Sequence, residues 1–234
     1  TDGGWYPATQ KYRDWLAREA PWWPEPGSFA RSDRPRWVED LAAWVLTGGT
    51  AEQVVEPTRK FAEFMGVPTA VHWYNWHQIP FDNDYPHYFP TKEGFKEGVA
   101  ELQAAGVRVM PYINGRLWDT DTDDFATDGI KYCTKDEEGN PYIEVYGSKQ
   151  KLAPMCPSQE FWRAKLEGIV LRLVSEEGVD GVYMDQIGAA RPRLCYDKSH
   201  GHPLVGGHWW VDGYWELLGR LQPGIAKVNP DKIC

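Results

Sequence analysis

Val179-Asp180-Gly181-Val182-Tyr183-Met184-Asp185-Gln186 is a short apolar run, interrupted by one glycine and left through a carboxylate. Upstream, residues 158–177 carry Trp162, Leu166, Ile169, Val170 and Leu173 at helical spacing, and Gly178-Val179 turns the chain into the run. Glycine suits the left-handed position just past a helix end. The same grammar occurs twice more. Residues 51–65 place Val54, Thr58, Phe61, Ala62 and Met65 on one face, start on a Thr50/Gln53 capping box, and lead through Gly66-Val67 to a strand over 69–74. Residues 91–105, with Phe95, Val99 and Leu102 in a stripe, lead through Gly106-Val107 to a strand over 108–113. Residues 38–46 are expected to supply a preceding strand. A last helix over 209–221 is expected to stop at Pro223-Gly224, and the tail 227–234 reads as the approach to another strand.

Helices alternating with short apolar strands predict an α/β fold with a parallel sheet covered by its helices. A TIM-type (β/α) barrel is the architecture expected, as a single domain over 1–234, but about four β/α units are visible where a full barrel has eight. The barrel is therefore read as incomplete: a fragment of a longer protein, in preference to a half that pairs with a second copy as a homo-oligomer or to strands hidden in loops. Residues 130–152 break the rhythm. Residues 130–133 and 142–146 alternate around Glu138-Gly139-Asn140-Pro141, which predicts an inserted β-hairpin overhanging the strand tips.

The net charge of −9 and the lack of a basic stripe argue against a nucleic-acid partner. No apolar run reaches membrane-spanning length, and no leader peptide is visible at the start. Four cysteines, none in a C-x-x-C pair, predict no structural zinc; Cys133 and Cys156 could bridge a loop, and the compartment stays open. No glycine-rich phosphate loop follows a strand, so no organic cofactor is expected. The chain holds 13 Trp and 12 Tyr, many in polar, Pro/Gly-rich stretches, where exposed rings suit the flat C–H faces of sugars.

In a parallel barrel, chemistry sits at the C-terminal ends of the strands. Here one strand runs into His72-Trp73-Tyr74-Asn75-Trp76-His77 and then Asp82, Asn83 and Asp84; another into Asn114-Gly115-Arg116-Leu117-Trp118-Asp119; a third into Tyr183-Met184-Asp185-Gln186. Asp185, at the tip of a rigid strand, is the leading catalytic carboxylate. A retaining glycosidase needs such a nucleophile and a second carboxyl about 5–5.5 Å away. Asp119 is put forward as that second group, with Asp82, Asp84, Glu144 or an acid beyond Cys234 as alternatives. Arg116 is expected to pair with Asp119 or Asp185. His72, His77 and Asp82 are assigned to a sugar-binding network, since the histidine spacing matches no tight metal-ligand motif. Residues 199–208, with His200, His202 and His208, read as a loop that could act as a lid.

These same runs, together with Phe81-Asp82-Asn83-Asp84-Tyr85-Pro86 and Pro111-Tyr112-Ile113-Asn114-Gly115-Arg116, resemble a family of large glycoside-hydrolase-like barrel proteins that is distantly similar to α-galactosidase and α-amylase type enzymes. The resemblance covers most of the chain but only the first half of such a barrel. It implies a nucleophile at the tip of the fourth barrel strand, which falls on Asp185, and a general acid from a later strand.

The reading that follows is a glycosidase acting on oligo- or polysaccharide. Asn114, Arg116, Tyr183 and Gln186 would line the subsite, and Trp73, Trp76 and Trp118 would stack on sugar rings. The rivals are a carbohydrate-binding barrel without turnover, a metal-dependent hydrolase using His72 and His77, and a folding fragment without independent function.

Overall fold

Three of the four parallel strands are reached from the preceding helix through a left-handed glycine: Gly66, Gly106 and Gly178, with φ of 61°, 79° and 78°. The structure is a computed structural model that describes residues 3–20, 23 and 34–234. The chain divides into two compact units, Thr1–Arg34 and Pro35–Cys234. The first holds helix α1 (Trp5–Glu19). The second begins with a one-turn helix α2 (Arg36–Asp40) and continues β1 (Ala43–Gly48), α3 (Ala51–Met65), β2 (Thr69–Tyr74), α4 (Phe95–Ala104), β3 (Arg108–Asn114), β4 (Leu117–Asp119), α5 (Ile130–Tyr132), β5 (Glu144–Val145), β6 (Lys151–Pro154), α6 (Glu160–Ser175), β7 (Tyr183–Asp185) and α7 (Trp209–Val228).

The main sheet has the order β1-β2-β3-β7, all parallel. Ile233 adds the start of a fifth parallel partner: its N–H donates to Asp180 O at 3.0 Å and its carbonyl accepts Val182 N at 3.2 Å, so the tail does approach a strand. Period-2 alternation divides the sheet into two faces. Val71, Trp73, Val109 and Ile113 point to one face, join the buried side chains of α3, α4 and α6 in a single cluster, and are fully enclosed. Each such large side chain removed from water contributes about 1.5–3 kcal/mol. Gly98 makes the closest helix approach possible: a Cβ there would lie 2.9 Å from Val55 and 3.0 Å from Trp73. The opposite, inner face carries Trp44, Leu46, His72, Tyr74, Tyr112, Tyr183 and Asp185. It is open: Leu46 is 71% exposed and Trp44 45%.

Several boundaries differ from expectation. Residues 36–40 are helical, with Pro35 at the N-cap position, and β1 starts only at Ala43. Helix α7 runs through Pro223 to Val228. Leu221 and Ile225 are buried on either side of the proline, and Gly224 lets the helix lie against Leu171 of α6, so packing outweighs one lost backbone bond. The expected hairpin is a three-stranded antiparallel sheet of order β4-β6-β5. Its presumed first arm is the helical turn α5, preceded by a π-helical turn Phe125–Gly129 whose Phe125 packs near Trp118. Lys135 and Pro141 close the turn around 136–140 with a single bridge.

Candidate active site at the strand tips

Asp185 ends β7 in register with Asn114, the last residue of β3. Its carbonyl accepts Gly115 N at 3.0 Å, which fixes the strand end, and its carboxylate Oδ2 accepts the Tyr112 phenol at 3.1 Å. Tyr112 stacks on Tyr74 at 4.5 Å and lies 6.0 Å from Tyr183, while Phe81 closes the other side at 5.4 Å. Burial keeps the Tyr112 phenol protonated far above its ordinary range, with Tyr85 and the Asp185 charge adding to the effect. Burial likewise raises Tyr183, again with help from Asp185. Asp82 is the second acid in this field: burial, then the charge of Asp185, raises its carboxyl pKa. The half-buried Asp185 is thus ringed by aromatic rings and by phenols whose ionisation burial disfavours. Asn75, Asp82, Asp84 and Gln186 hold left-handed φ values of 53–68° at these strand ends. Asn and Asp adopt that region readily, so Gln186, next to Asp185, is the strained position among these four.

The model of the Domain of unknown function (DUF6259) family matches residues 1–232. The chain belongs to this family. A Bacteroides thetaiotaomicron protein named "Putative glycoside hydrolase" is 38% identical over 232 residues, which is 98% of this chain and 34% of the relative. The DUF6259 chain therefore spans about a third of that relative's length. Among solved structures, the α-N-acetylgalactosaminidase NagBb of Bifidobacterium bifidum superposes with a TM-score of 0.74 at 15% identity, over 93% of this chain and 40% of that one. The α-galactosidase of Thermus thermophilus superposes with a TM-score of 0.56 at 15% identity, over 85% and 39%. These likenesses show the fold: a parallel α/β sheet of the kind found in glycoside-hydrolase TIM barrels.

The DUF6259 sheet brings His72, Tyr183 and Asp185 to the inner face, with Asp82 beside them. His72 stacks flat on Trp44 at 4.1 Å and touches Tyr183, and burial lowers its pKa. Other expected site residues are elsewhere. Trp73, Trp76 and Trp118 are fully buried. Trp73 lies on the helix-facing side of β2 and donates to Gly49 O; Trp76 donates to Tyr112 O at 2.7 Å; Trp118 stacks on Phe161 with Lys165 over its ring. None offers a ring face to a sugar. His77 is also enclosed, its Nδ1 on Ile79 O, and burial lowers its pKa to about 4; it does not join His72 in a metal pair. Asn114 turns the chain after β3, its Oδ1 accepting Arg116 N and Leu117 N at 2.9 Å each.

Asp119, expected as the second carboxyl, has both oxygens on backbone donors. Its Oδ2 accepts Asp84 N at 2.8 Å and its Oδ1 accepts Asp121 N at 3.0 Å, so it folds the loops around it. It lines an open cleft of about 880 Å³ with Gln78, Asp84, His87 and Asp124, and Asp185 is not part of that wall. Arg116 pairs with neither expected aspartate. It makes a bidentate pair with Glu144, both bonds 2.7 Å, and donates to Gln186 Oε1 at 3.1 Å. Arg193 and Tyr146 also donate to Glu144. Burial would raise the Glu144 pKa, but these donors override it and bring it down to about 2. Glu144 is therefore held as an anion that ties β5 to the tip of β3, and Gln186 is held by the same knot.

The inner-face aromatics Trp44, Tyr74, Phe81 and Tyr112 are absent from the site expected on sequence grounds. The signal was present: counting in twos along β1, β2 and β3 from residues in register with Asp185 and Tyr183 selects Trp44, Tyr74 and Tyr112 and rejects Trp73.

Proposed function

We propose that this chain is the first half of a catalytic barrel that hydrolyses glycosidic bonds in oligo- or polysaccharide with retention, and that Asp185 is the nucleophile. The observation that carries this reading is the position of Asp185: at a strand tip, half-buried, held by the Tyr112 phenol with Tyr183 beside it, and paired with no cation among the described residues. A carboxylate Oδ attacks the anomeric carbon as the glycosidic C–O bond breaks, and the departing oxygen takes a proton from a second carboxyl. Water activated by that same group then cleaves the glycosyl ester and restores the carboxylate. Tyr112 orients the attacking oxygen, Asp82 accepts a sugar hydroxyl, and Tyr74, Phe81 and Tyr183 offer ring surface to the sugar. Asp119 and Glu144 are committed to backbone donors and arginines, and the resemblance puts the general acid on a later strand, so the proton donor is assigned to the remainder of the full-length protein in preference to Asp82. The length of the Bacteroides relative and the fold of the two glycosidases support this division.

The test is Asp185→Ala in the full-length protein, assayed on an aryl glycoside with added azide. Expected are a loss of about 10⁴-fold or more in kcat, an unchanged melting temperature, and partial rescue as a glycosyl azide of inverted configuration. Undiminished hydrolysis by the folded variant would overturn the assignment.

A further inference from the structure

Four side chains converge outside the strand-tip pocket. The sulfurs of Cys156 and Cys195 and one ring nitrogen each of His200 and His202 all lie within 4.8 Å of one another. Cys156 stands just before α6; Cys195, His200 and His202 belong to the loop between β7 and α7. All four described cysteines are free thiols, including Cys133 and Cys156, which are not bridged.

The hydrogen bonds to backbone carbonyls leave one ring nitrogen of each histidine as an acceptor turned toward the cysteines. His200 Nε2 donates to Lys131 O at 2.9 Å, which leaves Nδ1 as the acceptor, 3.5 Å from Cys195 Sγ. His202 Nδ1 donates to Pro203 O at 2.7 Å, which leaves Nε2 buried with no hydrogen-bond partner. Carbonyl oxygens that fix the far nitrogen are the usual support of a metal-bound imidazole. The His202 ring is further clamped flat against Trp209 at 3.9 Å. Zinc bonds of about 2.3 Å to sulfur and 2.0–2.1 Å to nitrogen give a tetrahedral S···N edge of about 3.5 Å, which is the Cys195–His200 separation.

We infer that Cys156, Cys195, His200 and His202 form a structural zinc site that pins the loop after Asp185. Two thiols release their protons on binding, and two thiolates neutralise the dication, so the buried site carries no net charge. With four protein ligands it has no open position for catalysis. What it does is mechanical. The loop 199–208 is anchored, not poised as a lid: His200 is buried, and Cys195 and Val205 exchange two backbone bonds of 2.9 Å. Arg193, two residues before Cys195, is thereby presented to Glu144. The lack of a C-x-x-C pair does not count against this set, because its ligands come from two segments of the chain.

The test is a cobalt(II) titration of chelator-stripped protein, followed by zinc. Expected is one cobalt per chain with a thiolate-to-cobalt charge-transfer band and strong tetrahedral visible bands, both lost on adding one equivalent of zinc. X-ray absorption of the zinc form should count two sulfurs and two nitrogens, and Tm should rise by about 10 °C at zinc a thousandfold above its Kd. His202→Ala should weaken cobalt binding at least tenfold and shift its visible bands. Absence of the charge-transfer band in the wild-type protein, a Cys156–Cys195 disulfide in freshly purified protein, or an unaltered cobalt spectrum and affinity in His202→Ala would each overturn the site. None of these readouts depends on glycosidase activity.

Discussion

Asp180 and Asp185 bracket one strand and have opposite fates. At the entrance, Asp180 is buried and fully engaged: Oδ2 accepts Val109 N and Gln103 Nε2 at 2.9 Å each, and Oδ1 accepts Arg108 at 2.8 Å. At the exit, Asp185 receives the Tyr112 phenol and faces the open inner face of the sheet. The sequence places both acids beside the same apolar run; only the direction of the strand separates them. An acid whose oxygens are all taken by the backbone and a cation stabilises the fold, and one that meets only neutral phenols stays available to a ligand. Glu144 sharpens the contrast, because it too lies on the strand-tip side yet is saturated by two arginines.

The largest expected effect is at the exit. Asp185→Asn should lower kcat by about 10⁴–10⁶-fold with little change in Tm, measured on the full-length protein. Glu144→Gln should act on stability, since it leaves Arg116 buried without its partner, at a cost of about 3–5 kcal/mol in denaturant unfolding. The pH dependence follows from the lowered carboxyl pKa. A depressed folded pKa contributes stability that is complete above the unfolded value near 4.5 and lost as pH falls toward about 2. Wild-type Tm should therefore fall across that window, and Glu144→Gln should flatten this part of the profile. Asp180→Ala strands Val109 N–H and Gln103 and should cost about 1–3 kcal/mol, with kcat per folded molecule unchanged. The smallest effect is Tyr112→Phe. It should reduce kcat about tenfold, or about 1.4 kcal/mol, with Tm held by the remaining ring stack. A Tm loss at Asp185 as large as that at Asp180 would erase the distinction between the two ends.

Much of this was legible because it is local. The Gly-Val punctuation, the capping of α3, in which Gln53 accepts Thr50 N–H at 3.0 Å, and the tip position of Asp185 all depend on neighbours a few residues apart. What was not legible depends on partners far along the chain. Arg116 finds Glu144 across 28 residues and Asp119 finds Asp84 across 35, so neither pairing could be read from spacing. The tryptophans differ from expectation for another reason: the polar surroundings of Trp73 suggest exposure, whereas strand parity sends it to the helix side and its neighbours His72 and Tyr74 inward. Residues 130–133 alternate like a strand, but the buried Phe125 and Cys133 draw that segment into helical turns.

Covalent trapping reaches the central claim most directly. Full-length protein is incubated with an activated fluoro-glycoside whose glycosyl ester turns over slowly, digested, and sequenced by mass spectrometry. The account predicts one sugar per chain, attached to Asp185 in the peptide that contains Tyr183 and Gln186. A label on Asp82, Asp119 or any other acid, or steady hydrolysis with inversion and no label, would contradict it.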